Sequence, residues 1–112
     1  DLAVEVTTDG PSDRMSQETA RAVYRIVQEA LRNAARHAAA RRARVRLAFG
    51  VRDLDLSISD DGRGFDPLAT PSPGIGLASM RERALIAGGS ATVRSRPGAG
   101  TTIDVRLPMG RA

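Results

Sequence analysis

A long stretch of helical periodicity between Ser16 and Ala38 constrains the fold of this chain more than any other feature. The apolar residues in this stretch recur at spacings of three and four, which is typical of an amphipathic helix with one buried face. Ser16 suits the N-cap position, and Glu18 lies in the first turn. The sequence therefore predicts a helix whose buried stripe is formed by Ala20, Val23, Val27, Leu31, Ala34 and Ala38.

Five shorter stretches alternate apolar and polar residues with the period of two that is typical of strands. They are residues 2–8, 45–51, 54–60, 91–96 and 101–107. In the first of them Leu2, Val4 and Val6 share one face. A tight connection at Arg52–Asp53 predicts one hairpin, and the sequence PGAG at residues 97–100 predicts another.

A second, shorter helix is predicted from the spacing of Leu77, Met80, Ala84 and Ala87, and it ends at the pair Gly88–Gly89. Between the third strand and this helix, residues 62–76 are too rich in Gly, Pro and Ser for regular structure. The order strand, helix, two strands, loop, helix, two strands predicts a two-layer α+β sandwich. Its helices lie on one face of a mixed sheet.

The chain length and composition narrow the class of protein. With 112 residues we expect one domain, residues 1–112, and the absence of Cys excludes disulfides and thiolate metal sites. No apolar run approaches the about 20 residues of a membrane span. We therefore expect a cytoplasmic segment. Because the chain starts with Asp1 and reaches a strand almost at once, we also expect it to be part of a longer protein.

The basic charge of the chain does not indicate a nucleic-acid partner. All 17 basic residues are Arg, yet the net charge is only +4. Binding of single strands usually requires aromatic side chains among the charges, and only Tyr24, Phe49 and Phe65 are aromatic. We therefore expect a solvated Arg surface and no nucleic acid.

Four polar residues share one face of the long helix. At 100° per residue, Glu29, Asn33, Arg36 and His37 fall within about a third of its circumference, offset from the apolar stripe. One interpretation is a solvated polar face. The other is a magnesium and phosphate site, because hard oxygens bind the metal and cationic groups bind phosphate oxygens.

The strand at residues 54–60 directs a carboxylate inward. Leu54, Leu56 and Ile58 occupy alternate positions, and parity places Asp60 on the same covered face. Asp60 either accepts hydrogen bonds from backbone N–H groups in the following turn or serves as a fixed acceptor for the amino group of a ligand. Gly62 and Gly64 leave the backbone bare beside it, so that a flat ring can approach.

A third candidate element lies directly before the second helix. Gly74 and Gly76 precede the helix N-terminus, where free N–H groups and the positive end of the helix dipole suit a phosphate. Plain loop flexibility is the alternative interpretation of these glycines. We also expect the segment DPLATPSP, residues 66–73, to be mobile without a ligand and to become more ordered when the Gly74–Gly76 N–H groups bind phosphate.

Together these three stretches resemble a known family. QEALRNAARHA at residues 28–38, DDGRGF at 60–65 and GIGL at 74–77 resemble the N, G1 and G2 boxes of one ATP-binding domain. Sensor histidine kinases, DNA gyrase, mismatch-repair ATPases and a heat-shock chaperone share that domain. The chain is most similar to histidine kinases that work with response regulators of the nitrate-regulator type. The segments that carry this similarity are YRIVQEALRNAARHA, GLASMRERA and PGAGTTIDVRLP.

The resemblance implies a Bergerat-type ATP-binding fold and a role for each matched residue. It implies that Asn33 binds Mg²⁺, that Glu29 orients a metal-bound water, and that Arg36 contacts the terminal phosphates. It implies that His37 lines the nucleotide and that Asp60, rather than Asp61, reads the adenine. The remaining implied ligand contacts are glycines and their neighbours, which shape the base pocket or cover the phosphates: Gly62, Gly64, Gly74, Ile75, Gly76 and Leu77.

The resemblance also implies an activity and partners. It implies a protein-histidine kinase that binds ATP and Mg²⁺ and phosphorylates a His on a dimerisation domain outside this sequence, which then passes the phosphoryl group to a response regulator. The full-length protein is then expected to be a homodimer and this segment alone a monomer. Two alternatives remain open: an anti-sigma-factor serine kinase, and a nucleotide-binding module without transfer activity. The loop lacks the aromatic F box of some relatives, which leaves its nucleotide contacts open.

Overall fold

A computed structural model describes residues 2–36, 38–66 and 77–110. Within these ranges the elements follow the predicted order of strands and helices. Their bounds are β1 Ala3–Asp9, α1 Gln17–Arg36, β2 Arg42–Phe49, β3 Asp53–Asp60, α2 Leu77–Ile86, β4 Ser90–Ser95 and β5 Thr101–Pro108.

The five strands form one mixed sheet in the order β1-β2-β3-β5-β4. β1 runs parallel to β2, and the other neighbouring pairs are antiparallel. α1 contacts β2, β3 and β5, whereas α2 contacts β4 and β5, and the two helices contact each other. The predicted two-layer sandwich with helices on one face of a mixed sheet is confirmed.

The start of α1 is capped as predicted. The backbone N–H of Thr19 donates to Ser16 Oγ at 3.1 Å, and the N–H of Ala20 donates to the Ser16 carbonyl. Thr19 Oγ1 in turn donates to the carbonyl of Pro108 at 2.6 Å, which ties the start of the helix to the end of β5. Local capping and one tertiary bond thus fix the position of α1 on the sheet.

The buried stripe of α1 is rotated from the predicted one. The buried residues are Thr19, Ile26, Ala30, Asn33 and Ala34, while Val23, Val27 and Leu31 are only partly buried. The helix also ends at Arg36, before Ala38. The prediction was wrong in detail because it counted apolar residues alone and omitted Ile26, whereas two polar residues of α1 are buried with hydrogen-bond or other partners.

The core lies between the helices and the covered face of the sheet. Alternate residues of β3 and β5 enter it, α2 contributes Met80 and Ala84, and Ala87 enters it directly after the helix, all three as predicted. The members from these two strands are Leu54, Leu56, Ile58, Ile103, Val105 and Leu107. This alternation leaves the last residue of β3 and the first residue of β5 on the covered face.

The first hairpin differs from its prediction at both ends. β2 begins at Arg42 rather than Val45, and the turn follows Phe49, with the Gly50 N–H donating to the Asp53 carbonyl at 2.9 Å. The early start of β2 depends on the Asp61 carboxylate, which accepts hydrogen bonds from the backbone N–H groups of Arg41 and Arg42, each at 2.9 Å. A contact between residues so distant in sequence is invisible to a local pattern.

Candidate functional site

A cavity of about 180 Å³ opens between the C-terminal half of α1, the ends of β3 and β5, and the first residue of α2. Most of its walls are apolar, and its polar side chains come from both layers of the sandwich. The residues that line it are Ala30, Asn33, Ala38, Asp60, Arg63, Gly64, Phe65, Leu77, Thr101 and Ile103. An apolar enclosure with a few polar groups is typical of a small-molecule site.

Asp60 lies where parity predicted, at the end of β3 and on the covered face. Its Oδ1 accepts a hydrogen bond from the Gly62 N–H at 2.8 Å, so that the turn interaction considered for this residue is present. Burial raises the pKa of the Asp60 carboxyl, while the Gly62 N–H acts in the opposite direction. The same carboxyl group therefore closes the turn and lines the cavity.

Thr101 lies directly opposite Asp60 in the register of β3 and β5. The backbone of Thr101 lowers the pKa of the Asp60 carboxyl, as the Gly62 N–H does. The sequence analysis did not select Thr101, although the alternation of Ile103, Val105 and Leu107 extends back to it. Strand parity alone contains the signal that finds this residue.

Asn33 is buried, with 9% of its surface exposed, and lines the cavity together with Asp60. The sequence analysis placed it on a polar face offset from the apolar stripe, and that placement was wrong. Asn33 follows Ile26 and Ala30 at intervals of four and three residues, and so continues the buried stripe. The helix therefore presents this amide to the interior of the domain.

Two other members of the predicted polar face, Glu29 and Arg36, are not gathered with Asn33 at this cavity. Glu29 is partly buried and Arg36 is exposed, and neither is among the described residues that line it. His37 lies outside the described residues. Residues 2–36, 38–66 and 77–110 contain no group of three or more Asp, Glu or His set to hold a metal. Of the predicted metal ligands Asn33 and Glu29, Asn33 is the one that lines the cavity.

Close approaches of the backbone require glycine at both described positions of the G1 stretch. A Cβ at Gly62 would lie 2.5 Å from the Cβ and the carbonyl oxygen of Ala38. Gly64 has φ of +64°, and a Cβ there would collide with the carbonyl of Arg96. These glycines thus allow the turn beside Asp60 to pack closely, and the predicted approach of a flat ring stays a prediction.

Asp61 has a role distinct from that of its neighbour. Its hydrogen bonds from the backbone of Arg42 and Arg41 lower the pKa of its carboxyl, and the side chain is solvent-exposed. Asp61 is not among the cavity residues. Two adjacent carboxylates are therefore separated by geometry, one lining the cavity and the other capping the start of β2.

Only part of the predicted glycine-rich element is described. Gly74, Ile75 and Gly76 lie outside the described residues, as does most of the predicted segment 66–73. Leu77, the first residue of α2, lines the cavity as expected for a ligand contact. The sequence analysis did not assign Arg63 or Phe65, which alternate with the two glycines and also line it.

A larger depression, of about 810 Å³, lies on the open face of the sheet. It is bordered by polar side chains, and exposed ion pairs join Arg94 to Asp104 and Arg106 to Asp55, each at 2.9 Å. Exposed ion pairs of this kind contribute little to the stability of the protein, and they do not form an enclosed binding site. The smaller cavity fits a ligand better because its walls are mostly apolar and it contains the partly buried Asp60 carboxyl and the buried Asn33 amide.

Comparison with known proteins gives a consistent result. The profile of a family described as histidine kinase-, DNA gyrase B- and HSP90-like ATPases matches residues 18–111. The chain is 33% identical over 100 residues to the signal transduction histidine-protein kinase/phosphatase DegS of Brevibacillus brevis. It is 42% identical over 87 residues to the sensor histidine kinase LiaS of Bacillus subtilis (strain 168).

These relatives are much longer than the chain. The matches cover 89% and 78% of this chain but only 26% of DegS and 24% of LiaS. Among solved structures, the blue-light activated histidine kinase of Erythrobacter litoralis EL346 superposes with a TM-score of 0.73 at 27% identity, over 96% of this chain and 35% of that one.

Neither described helix is long and apolar enough to cross a membrane.

Proposed function

Because the chain belongs to the histidine kinase-, DNA gyrase B- and HSP90-like ATPase family, we propose that its enclosed cavity binds the base of ATP in a protein-histidine kinase. The match covers most of the chain, and the named relatives are histidine kinases. The domain 1–112 is then the ATP-binding catalytic part of a longer kinase that acts in two-component signalling.

One observation carries this proposal: Asn33 and Asp60 line the same cavity. The two residues were selected by separate arguments, one for a metal and one for an amino group on a ring. The Asp60 carboxylate, held by the Gly62 N–H, is a suitable acceptor for the exocyclic amino group of adenine. The apolar walls formed by Ala30, Leu77 and Ile103 suit the faces of a flat base.

Asn33 supplies the type of atom that Mg²⁺ prefers. A side-chain amide oxygen is a hard ligand, and Mg²⁺ usually keeps several waters and phosphate oxygens in its coordination shell, so one or two protein ligands are enough. We propose Asn33 as the direct ligand and Glu29, one turn earlier and partly buried, as the group that orients a metal-bound water. When bound, Mg²⁺ would neutralise charge on the transferred phosphoryl group.

The remaining contacts in the proposal concern the phosphates. Arg36 is exposed near the end of α1, where a cation suits the terminal phosphates of a nucleotide that extends out of the cavity. His37 is proposed to line the nucleotide, and Gly74, Ile75 and Gly76 to cover its phosphates. In the reaction the γ-phosphoryl group leaves the β-phosphate oxygen and forms a P–N bond with an acceptor His, and ADP is released.

The acceptor and the signalling partners are proposed to lie outside this sequence. His37 is the only His of the chain, and its proposed position is beside the nucleotide. We propose a cytoplasmic location, an acceptor His on a dimerisation domain of the same protein, a homodimer formed through that domain, and a response regulator of the nitrate-regulator type. The length of the relatives, about four times that of the matched part, supports additional domains.

Calorimetric titration of the chain with ATP, ADP and GTP, each with and without Mg²⁺, tests the proposal. We expect ATP and ADP to bind, Mg²⁺ to strengthen ATP binding, and GTP to bind weakly because its ring offers a carbonyl where adenine offers an amino group. Binding of no nucleotide would contradict the proposed function. Nucleotide binding accompanied by phosphorylation of a Ser in a partner protein would favour the serine-kinase alternative.

A further inference from the structure

The hydroxyl of Ser95, the last residue of β4, joins two walls of the cavity without lining it. The backbone N–H of Phe65 donates to Ser95 Oγ at 2.9 Å. Ser95 Oγ lies 2.9 Å from Thr101 Oγ1 and 2.9 Å from the carbonyl oxygen of Gly100. Phe65 and Thr101 both line the cavity, whereas Ser95 is not among its lining residues.

The hydrogen-bonding capacity of a hydroxyl fixes how these contacts are shared. Ser95 has one O–H to donate and two lone pairs that accept. The assignment that satisfies every contact has Ser95 donating to the Gly100 carbonyl and accepting from the Phe65 N–H and the Thr101 hydroxyl. Ser95 is then saturated, so the direction of the Thr101 hydroxyl depends on it.

The strand register places Ser95 in one row with the partly buried Asp60. Asp60 pairs with Thr101 across β3 and β5, and Thr101 pairs with Ser95 across β5 and β4. The three residues form one row on the covered face at the end of the sheet. Through this row Ser95 pairs with Thr101, which in turn pairs with Asp60, the proposed acceptor of the adenine amino group.

We propose that Ser95 is a positioning residue for nucleotide binding, which holds the Thr101 hydroxyl and the Phe65 backbone at the spacing that the adenine base requires. This inference rests on the proposed function of the cavity. Replacement of Ser95 by Ala removes one acceptor shared by two donors, the Phe65 N–H and the Thr101 hydroxyl. A single hydrogen bond of this kind corresponds to about a three- to tenfold change in affinity, so we expect Ser95→Ala to weaken ADP binding by that factor.

The experiment compares ADP affinity by calorimetry in four proteins: wild type, Ser95→Ala, Ser95→Thr and Ser90→Ala. Thr restores the hydroxyl and is expected to return the affinity to within about twofold of wild type. Ser90 is an exposed residue at the other end of β4, so Ser90→Ala is a matched control that should leave ADP binding unchanged. Circular dichroism identifies a temperature at which every variant is folded, so that a loss of stability alone does not change the measured affinity.

A double-mutant cycle with Thr101→Val tests whether Ser95 acts through Thr101. If it does, Ser95→Ala should weaken ADP binding less in the Thr101→Val background than in wild type, because the effects of substitutions at two connected residues are not additive. If Ser95→Ala does not fold, Ser95→Cys, which keeps a similar size but bonds weakly, is measured in its place.

Equal ADP affinity in wild type and Ser95→Ala, an equal loss in Ser95→Thr, or additive effects in the cycle would overturn the inference while leaving the proposed function intact. A wild-type protein that binds no ADP would instead overturn the proposed function, and the inference with it.

Discussion

Asn33 and Asp60 line one cavity from opposite layers of the sandwich, Asn33 from the buried stripe of α1 and Asp60 from the covered end of β3. Neither position is favourable for a polar side chain unless it has partners or a function. Asp60 has the Gly62 N–H as a partner, yet burial still raises the pKa of its carboxyl. The site therefore holds a carboxyl group whose surroundings disfavour its charged form.

The first prediction concerns the stability of Asp60→Asn. Because the folded state raises the pKa of Asp60, wild type loses stability as pH rises from the ordinary Asp pKa through the raised one, and stays lower above it. Asn carries no charge, so Asp60→Asn should unfold at the same or a higher temperature than wild type at neutral pH. The difference should disappear in acid, where Asp60 is protonated in both states.

Asp61→Asn is the matched control for that measurement. Hydrogen bonds from Arg42 and Arg41 lower the pKa of Asp61, so its contribution to stability is present above the ordinary Asp pKa and is lost as pH falls through the lowered value. Asp61→Asn should therefore lower the unfolding temperature at neutral pH. If the unfolding temperature at neutral pH fell markedly for Asp60→Asn and did not fall for Asp61→Asn, the charge of Asp60, and not that of Asp61, would be the stabilising one.

The second prediction separates metal binding by Asn33 from its burial. Asn33→Ala should lower the free energy of unfolding by about 1 kcal/mol, because a buried polar group with partners is removed. It should also abolish the difference in ATP affinity with and without Mg²⁺. Thr19→Ala, which removes another buried polar side chain of α1, should lower stability but keep the Mg²⁺ dependence. If the ATP affinity of Asn33→Ala still depends on Mg²⁺, Asn33 is not a metal ligand.

The third prediction tests the glycine requirement beside Asp60. Gly64 and Gly98 both have positive φ, at +64° and +80°, but a Cβ at Gly98 meets nothing within 4 Å. Gly98→Ala should therefore cost only the backbone strain, about 1 kcal/mol, whereas Gly64→Ala should cost more because its Cβ collides with the Arg96 carbonyl. Chemical denaturation of both variants measures the difference, and equal losses would show that packing around Gly64 is loose.

The sequence predicted the order of the elements because each one obeys a local period that packing did not override. It also predicted that Asp60 faces the covered side, since strand parity is a local rule. It missed the burial of Asn33 because an apolar count cannot show that a polar residue continues a buried stripe. It did not select Thr101, although parity along β5 extends to that residue. The position of Phe65 and the early start of β2 beside Asp61 depend on contacts between residues far apart in sequence.

The fourth prediction concerns phosphoryl transfer by the chain alone. Since we place His37 beside the nucleotide, the chain should bind ATP yet form no phosphohistidine. Incubation with radiolabelled ATP, followed by measurement of acid-labile label on wild type and on His37→Gln, checks this. Label that appears on wild type and is lost in His37→Gln would make His37 the acceptor and contradict the proposed arrangement.

The most direct test of the account is the affinity of Asp60→Asn and Asp61→Asn for ATP and GTP, measured by calorimetry with Mg²⁺ present. A hydrogen bond to a charged group contributes about 1.5–3 kcal/mol, so Asp60→Asn should bind ATP about ten- to a hundredfold more weakly than wild type. Asp61→Asn should bind ATP like wild type, and wild type should discriminate against GTP. Unchanged ATP affinity in Asp60→Asn, or equal affinity of wild type for ATP and GTP, would contradict the claim that Asp60 reads adenine in this cavity.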